Sequence, residues 1–308
     1  MFEFWVTVDT AFLVAYSIVA IIHITGLTLL CKASCSLPNQ RLLVQNLAAT
    51  ELLFCLTMMI DSIVVLSETG DTALFDYFSG FFVTLCNIEL RLSILHIIID
   101  RFIEIYMNIK YPLYVTRKRI LALVVFHWSI SAVSAMIDVI LVAVDVPHAY
   151  QQIGFYSFLA LDLTILISSL TTYIYFFKKV RRIRRVEDNG RGQLPESALN
   201  LLIKKFKQPC YIVITYICFN LSSTLIYISS YHAQEPGQFR ILYVSSMVLT
   251  LLGLTSDAAI YVFANRNVCT LLDRIGSKRS SQVSQRTSEI KFVNTKDHNL
   301  STYAEAKN

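Results

Sequence analysis

Residues 120–144 read ILALVVFHWSISAVSAMIDVILVAV, and Asp138 is the one Asp, Glu, Lys or Arg among them. A helix needs about 20 consecutive apolar residues to cross a membrane, because no water there can satisfy a free backbone amide. Six further stretches of this kind occur, at 8–30, 42–66, 75–107, 153–177, 211–231 and 241–264. The sequence therefore predicts an all-α membrane protein, a bundle of seven transmembrane helices that we number span 1 to span 7.

The composition of the 308 residues supports a membrane protein. Hydrophobic residues make up 55% of the chain, charged residues 16%, and the mean hydropathy is +0.53. A soluble domain has about 25% charged residues. These values argue against a disordered chain, a collagen-like chain and a disulfide-stapled secreted module. No nucleophile pattern, metal-ligand spacing or phosphate loop is present, so we expect neither an enzyme nor a nucleic-acid-binding protein.

The distribution of Lys and Arg predicts the orientation of the bundle. The chain has 27 basic residues. Of these, 25 lie at the C-terminal ends of spans 1, 3, 5 and 7 or in the segments that follow, all on one side of the membrane, and the exceptions are Arg91 and Arg240. The positive-inside rule then places the N-terminus outside and the C-terminus in the cytoplasm. We predict that residues 1–264 form the seven-helix domain, 265–276 a short amphipathic eighth helix, and 277–308 a disordered, Ser/Thr-rich cytoplasmic tail.

Charged residues inside spans are costly, at roughly 3 kcal/mol each near the middle of the membrane, so each is a functional candidate. The alternative is that they form interior ion pairs that only hold helices together. Among the charged residues of the predicted spans, the candidates are Glu51, Asp61, Glu89, Arg91, Asp100, Arg101, Asp138, Asp162 and Asp257. Asp100 and Arg101 precede Phe102 at the inner end of span 3. An Arg there can pair with its neighbour in one state and with an incoming partner in another.

Three motifs in this order resemble the rhodopsin-like G-protein-coupled receptors. Residues 46–51 (NLAATE) are similar to the family's Leu-Ala-x-x-Asp in span 2, and Trp128 is the single Trp of span 4. Residues 257–263 (DAAIYVF) resemble its (Asn/Asp)-Pro-x-x-Tyr-x-Phe in span 7. Within the family the chain is most similar to the melanocortin group. That likeness lies in residues 100–119, a very short outer loop 2, and the lack of both the outer disulfide and a span 5 proline.

The resemblance implies a plasma-membrane receptor that transmits an unidentified extracellular signal, for which a peptide is one candidate, to heterotrimeric G proteins. Asp100 and Arg101 would couple to the G protein, and Tyr261 with Tyr173 or Tyr175 would stabilise the open inner cavity. Arrestin and receptor kinases would act on the tail, whose phosphorylation candidates are Ser280, Ser281, Ser284, Thr287 and Ser288. Membrane lipids would contact the basic inner face, and Cys269 is a candidate for lipidation or an unmodified interfacial thiol.

The resemblance also implies sites for ions and ligand. Glu51 and Asp257 match the acids around the family's sodium pocket, where they would share a sodium ion or a proton, or pack as a neutral pair. Asp61 and Asp76 match acids that bind calcium and a peptide arginine, although Asp76 also suits a plain position at the water interface. The remaining pocket candidates are Val83, Asn87 and Ser223. No other cofactor is expected.

Several residues depart from the family pattern. Val83 replaces the acid of amine receptors, and Leu251 replaces the lysine that holds retinal, so neither ligand is expected. Ser223 and Leu225 stand where span 6 usually has Trp and Pro, and Lys205 stands where an acid usually restrains the span 3 Arg. Ordinary pivoting of span 6 is therefore in question.

Two other functions stay open at this stage. A seven-span transporter or channel could use a polar path through Glu51, Glu89, Arg91 and Asp257. A signalling-silent receptor that dimerises with another receptor is the second. Ion flux that depends on those four residues and not on Arg101 would favour transport.

Overall fold

The computed structural model describes residues 2–32, 38–67, 73–107, 110–144, 148–188, 209–233 and 235–263. Within them every long element is a helix and no strand occurs. The long unbroken helices are Phe2–Lys32, Pro38–Ser67, Ala73–Met107, Arg117–Ala143, His148–Asp188 and Pro236–Phe263. A short helix, Tyr111–Tyr114, connects spans 3 and 4.

Local sequence explains where several helices begin. Pro38 and Pro236 stand at the first position of their helices, where a missing N–H costs no hydrogen bond. Thr116 caps the helix of span 4 by accepting a hydrogen bond from the backbone N–H of Arg119 at 3.4 Å. Pro38 and Pro236 thus begin helices and do not kink them.

Seven helices among the described residues are long and apolar enough to cross a membrane, which confirms the predicted number of spans. Large apolar side chains cover their outer surfaces, for example Phe126 and Val133 on span 4, which are 58% and 60% exposed. A protein surrounded by water rarely leaves such continuous apolar faces uncovered. These faces fit a multi-pass membrane protein whose surroundings are lipid.

The spans form a closed ring in chain order, with span 7 packed against both span 1 and span 6. Span 3 lies closest to the centre, because it packs against spans 2, 4 and 5 and 61% of its apolar window is buried. The main apolar core includes Leu47 of span 2, Ile94 of span 3 and Ile212 of span 6. We call the end of the bundle that contains Arg101 the inner end.

Span 6 departs from a regular α-helix, a feature that the sequence did not predict. Helical residues 209–215 lead into a π-helical segment, Tyr216–Leu221, which is followed by the α-helix Ser222–Tyr231. π-Helical turns are uncommon and often occur at functional positions. Span 6 is therefore irregular although no proline interrupts it.

Several sequence predictions fall outside the described residues. They are the interfacial helix at 265–276, the tail at 277–308, Cys269, Lys205, the five phosphorylation candidates and the side chain of Asp76. The outward position of the N-terminus also stays a prediction.

Candidate functional site

A histidine of span 1, His23, contacts the acid of span 2, Glu51. His23 and Glu51 are both fully buried, and Nε2 of His23 lies 3.0 Å from Oε2 of Glu51. Nδ1 of the same ring lies 3.0 Å from the carbonyl oxygen of Val19 and must donate to it. Nε2 then either donates as part of an imidazolium or accepts a proton from the carboxyl group of Glu51. In both forms one proton lies between the two side chains.

Span 7 brings Asp257 and Tyr261 to the same place. Asp257 interacts electrostatically with Glu51 and accepts a hydrogen bond from the hydroxyl of Thr215 at 2.5 Å. The rings of His23 and Tyr261 meet edge to face, with centroids 6.2 Å apart. Oε1 of Glu51 and Oη of Tyr261 are buried without a hydrogen-bond partner among the described residues. The structure thus unites the predicted acid pair and adds the imidazole of His23 to it.

A second cluster, which we call the Arg91 clasp, joins spans 3, 5 and 6. Nε of Arg91 donates to Oδ1 of Asp162 at 2.8 Å, and Nη2 donates to Thr224 at 2.9 Å. Nη1 donates to the carbonyl oxygen of Asn87 at 3.0 Å, and the guanidinium lies 4.9 Å from the ring centroid of Phe158. Tyr216 donates a further hydrogen bond to Asp162. The guanidinium is therefore held in a dense network, as a buried charge requires.

Glu89 forms a third cluster, between spans 2, 3 and 4, with neutral donors only. Its carboxyl group accepts hydrogen bonds from Asn46 at 3.0 Å, Ser93 at 3.1 Å and Ser131 at 3.2 Å. Trp128 donates to the side-chain oxygen of Asn46 at 3.0 Å. Each polar group of this cluster is bound to another, so Glu89 connects three consecutive spans.

The inner end of span 3 holds Arg101 between two acids. The guanidinium donates to Asp100 and to Glu104, and Arg101 is only 3% exposed. Its Nε is buried and has no hydrogen-bond partner among the described residues. Tyr111 of the short connecting helix donates to the other oxygen of Asp100 at 2.6 Å. Burial and the Asp100 carboxylate raise the pKa of Tyr111, so its hydroxyl remains a donor at physiological pH.

Replacing Tyr111 with phenylalanine removes one hydrogen bond to a carboxylate. Such a bond contributes about 1.5–3 kcal/mol, so we expect a lower unfolding temperature of the purified protein. The matched control is Tyr114→Phe, since Tyr114 is 52% exposed. An equal decrease in both variants would contradict a specific role for the Tyr111 hydroxyl.

Aromatic side chains of spans 3 and 5 form a group near the inner end of the bundle. Phe102 and Tyr175 lie with ring centroids 5.5 Å apart, and Tyr106 contacts both rings. The Tyr173 side chain is hydrogen-bonded to Cys210 of span 6. Tyr261 lies with Glu51 and Asp257 rather than in this aromatic group. The predicted coupling residues are thus divided between two clusters.

The predicted ligand-pocket residues are mostly engaged within the protein. Asp61 accepts a hydrogen bond from Ser79 at 2.7 Å, Asn87 belongs to the Arg91 clasp, and Val83 packs against the apolar core. Ser223 donates to the carbonyl oxygen of Ser246 at 2.8 Å. No group of three or more metal-ligating side chains occurs among the described residues.

A cavity of about 410 Å³ lies elsewhere, at the end opposite Arg101 and between spans 1, 6 and 7. Trp5, Phe239, Glu235 and Arg240 line it together with smaller residues. None of the predicted pocket residues contributes to this cavity, so the sequence did not predict it.

Comparison with protein-family models gives no match, and comparison with curated protein sequences gives none either. The function of this chain therefore has to be argued from its own residues.

Several members of these clusters were not predicted from the sequence. One is His23, although an ionisable ring in an apolar span is a recognisable signal. Tyr216 and Thr215 were missed because hydroxyl groups are common in transmembrane helices and only the tertiary fold brings them to an acid. Asp162 was noted as a charged residue without a predicted partner.

Proposed function

We propose that this chain is a G-protein-coupled receptor of rhodopsin-like organisation, located in the plasma membrane, with partial similarity to the melanocortin group. It transmits an extracellular signal of peptide type to heterotrimeric G proteins. Receptor kinases and arrestin are its proposed later partners.

The observation that carries this proposal is the arrangement of Arg101. A buried guanidinium lies at the inner end of the central span, held by two acids and with one N–H unpaired. A partner's acceptors could replace Asp100 and Glu104, and the new charge-assisted hydrogen bonds would then offset the loss of the old ones. Such a group suits reversible docking of a protein that enters between spans 3, 5 and 6.

The connections between spans support signalling over transport. Glu51 and Asp257 belong to one cluster, Glu89 to a second, and Arg91 to a third, and no hydrogen bond described above links one to another. A polar path through all four residues would need groups that pass an ion from one cluster to the next. The clusters instead tie neighbouring helices, as a bundle with alternative arrangements requires.

The test is a panel that measures G-protein dissociation in cells, with wild type and Arg101→Ala at matched surface expression. It is run without ligand and with arginine-containing peptides of melanocortin type, each with and without calcium. We expect coupling in the wild type and at least about a tenfold loss in the variant, as for a central interface arginine. Calcium dependence would support a role for Asp61 and Asp76.

Arg117→Ala is the matched control, because Arg117 is also basic, lies near the inner end and is exposed. Coupling that is equally reduced in both variants would indicate a general charge effect. Coupling that survives Arg101→Ala would contradict the proposed role of Arg101. If no condition gives coupling, ion flux through the Glu51, Glu89, Arg91 and Asp257 variants becomes the next measurement.

A further inference from the structure

The π-helical segment Tyr216–Leu221 lies between two α-helical parts of span 6. A π-helix bonds each N–H to the carbonyl five residues earlier, so one such segment accommodates about one residue more than an α-helix of the same length. An α-helix turns by about 100° per residue. If the segment became α-helical, residues 209–215 would rotate by about that angle relative to Ser222–Tyr231.

The outer part of span 6 is fixed to spans 3 and 7. Thr224 accepts a hydrogen bond from Arg91 at 2.9 Å, and Ser223 donates to the carbonyl oxygen of Ser246 at 2.8 Å. Arg91 keeps further bonds to Asp162 and Asn87. This part therefore has contacts that do not depend on the residues before the π-helical segment.

Three side-chain hydrogen bonds lie at the inner part of span 6 and at the start of the π-helical segment. Thr215 donates to Asp257 at 2.5 Å, Tyr216 donates to Asp162, and the Tyr173 side chain is bonded to Cys210. The first two are single bonds from a hydroxyl group to a carboxylate. A rotation of the inner part by about 100° would break these bonds and leave the bonds of Thr224 and Ser223 in place.

Span 7 is shaped to receive the π-helical segment. Gly253 has no side chain, and a Cβ atom there would lie 3.2 Å from both Phe219 Cβ and Asn220 Nδ2. The close approach therefore depends on glycine. Residues 209–231 contain no proline beyond Pro209 at their start, so the π-helical segment is the irregular part of this span in the described residues.

We propose that the π-helical segment is the hinge of span 6. It converts to α-helix, residues 209–215 rotate, and Thr215 and Tyr216 leave Asp257 and Asp162, while Arg91 holds Thr224. The part that this motion plays in signalling rests on the proposed function, whereas the motion itself does not.

The test compares two variants at one exposed position. Deletion of Cys218 removes the extra residue, so span 6 becomes α-helical with both parts oriented as in this structure. Cys218→Ala keeps the length and is the matched control. Both are combined with Tyr216→Phe, which removes only the bond from Tyr216 to Asp162.

The readout is the distance between spin labels at Ile214→Cys and Leu121→Cys, with the other exposed cysteines replaced. Both positions are exposed, at 49% and 52%, on spans 6 and 4. A rotation of about 100° at the radius of a helix with side chains moves a label by about 8 Å. The measurement needs no G protein and no ligand, so its result is independent of whether the chain signals.

A second distance between the labels would report the rotated form of span 6. We expect Tyr216→Phe to raise the population of that form about tenfold in the full-length control, because the rotated form no longer costs a hydrogen bond to a carboxylate. In the deletion variant the second distance stays absent. A second distance in both backgrounds, or in neither, would overturn the proposal. Failure of the deletion variant to reach control expression would also overturn it, because the segment would then contain no spare residue.

Discussion

Asp162→Leu is expected to destabilise the protein by roughly 3–5 kcal/mol, the cost of leaving one member of a buried ion pair without its partner. The guanidinium of Arg91 would keep Thr224 and Asn87 but lose its only counter-charge in the cluster. We expect a large fall in the unfolding temperature of the purified protein and in the fraction that reaches the cell surface.

Two variants serve as controls for this result. Arg91→Met combined with Asp162→Leu removes both charges and should recover most of the lost stability, since an apolar pair often replaces a buried ion pair without net cost. Asp138→Leu removes another acid, which is bonded to Thr84 at 2.9 Å, and should have a smaller effect. If Asp138→Leu is as harmful as Asp162→Leu, the Arg91 clasp is not a special contact.

His23→Leu is the second substitution with a large expected effect. It leaves Glu51 and Asp257 together without the imidazole, at a cost of roughly 3 kcal/mol. The wild type should show no stabilisation by sodium over potassium, because the His23 ring already occupies the place beside Glu51 that a cation would take. The variant should gain it, by about 1.4 kcal/mol at ten times the dissociation constant. Unfolding temperatures in the two salts measure both effects.

The control for this prediction is His23→Leu combined with Glu51→Gln. It removes the imidazole and one acid together, so it should recover stability and lose the response to sodium. A wild type that is stabilised by sodium as strongly as His23→Leu would show that the imidazole does not occupy the place that a cation would take.

The number of spans was predictable because a membrane imposes one dominant requirement, an apolar helix of sufficient length. Span 3, for example, was predicted at 75–107 and is part of the helix Ala73–Met107. The charged residues within the spans were also visible, because each is an exception to that requirement.

The partners of those residues were not predictable. Arg91 and Asp162 are 71 positions apart, and only the packing of span 3 against span 5 brings them together. The π-helical segment depends on the fit between Phe219, Asn220 and Gly253, a contact between spans that no local pattern indicates. Propensity describes one helix at a time, whereas these features belong to pairs of helices.

The order in which the clusters become complete has a consequence for biosynthesis. His23 meets Glu51 in the next span, and Glu89 finds its donors in spans 2, 3 and 4. Arg91 has no counter-charge until Asp162 is made 71 residues later, roughly 4–14 seconds at ordinary rates of translation. During that interval the nascent chain carries an exposed intramembrane cation, so assembly of the first four spans is the stage at which membrane chaperones would engage it.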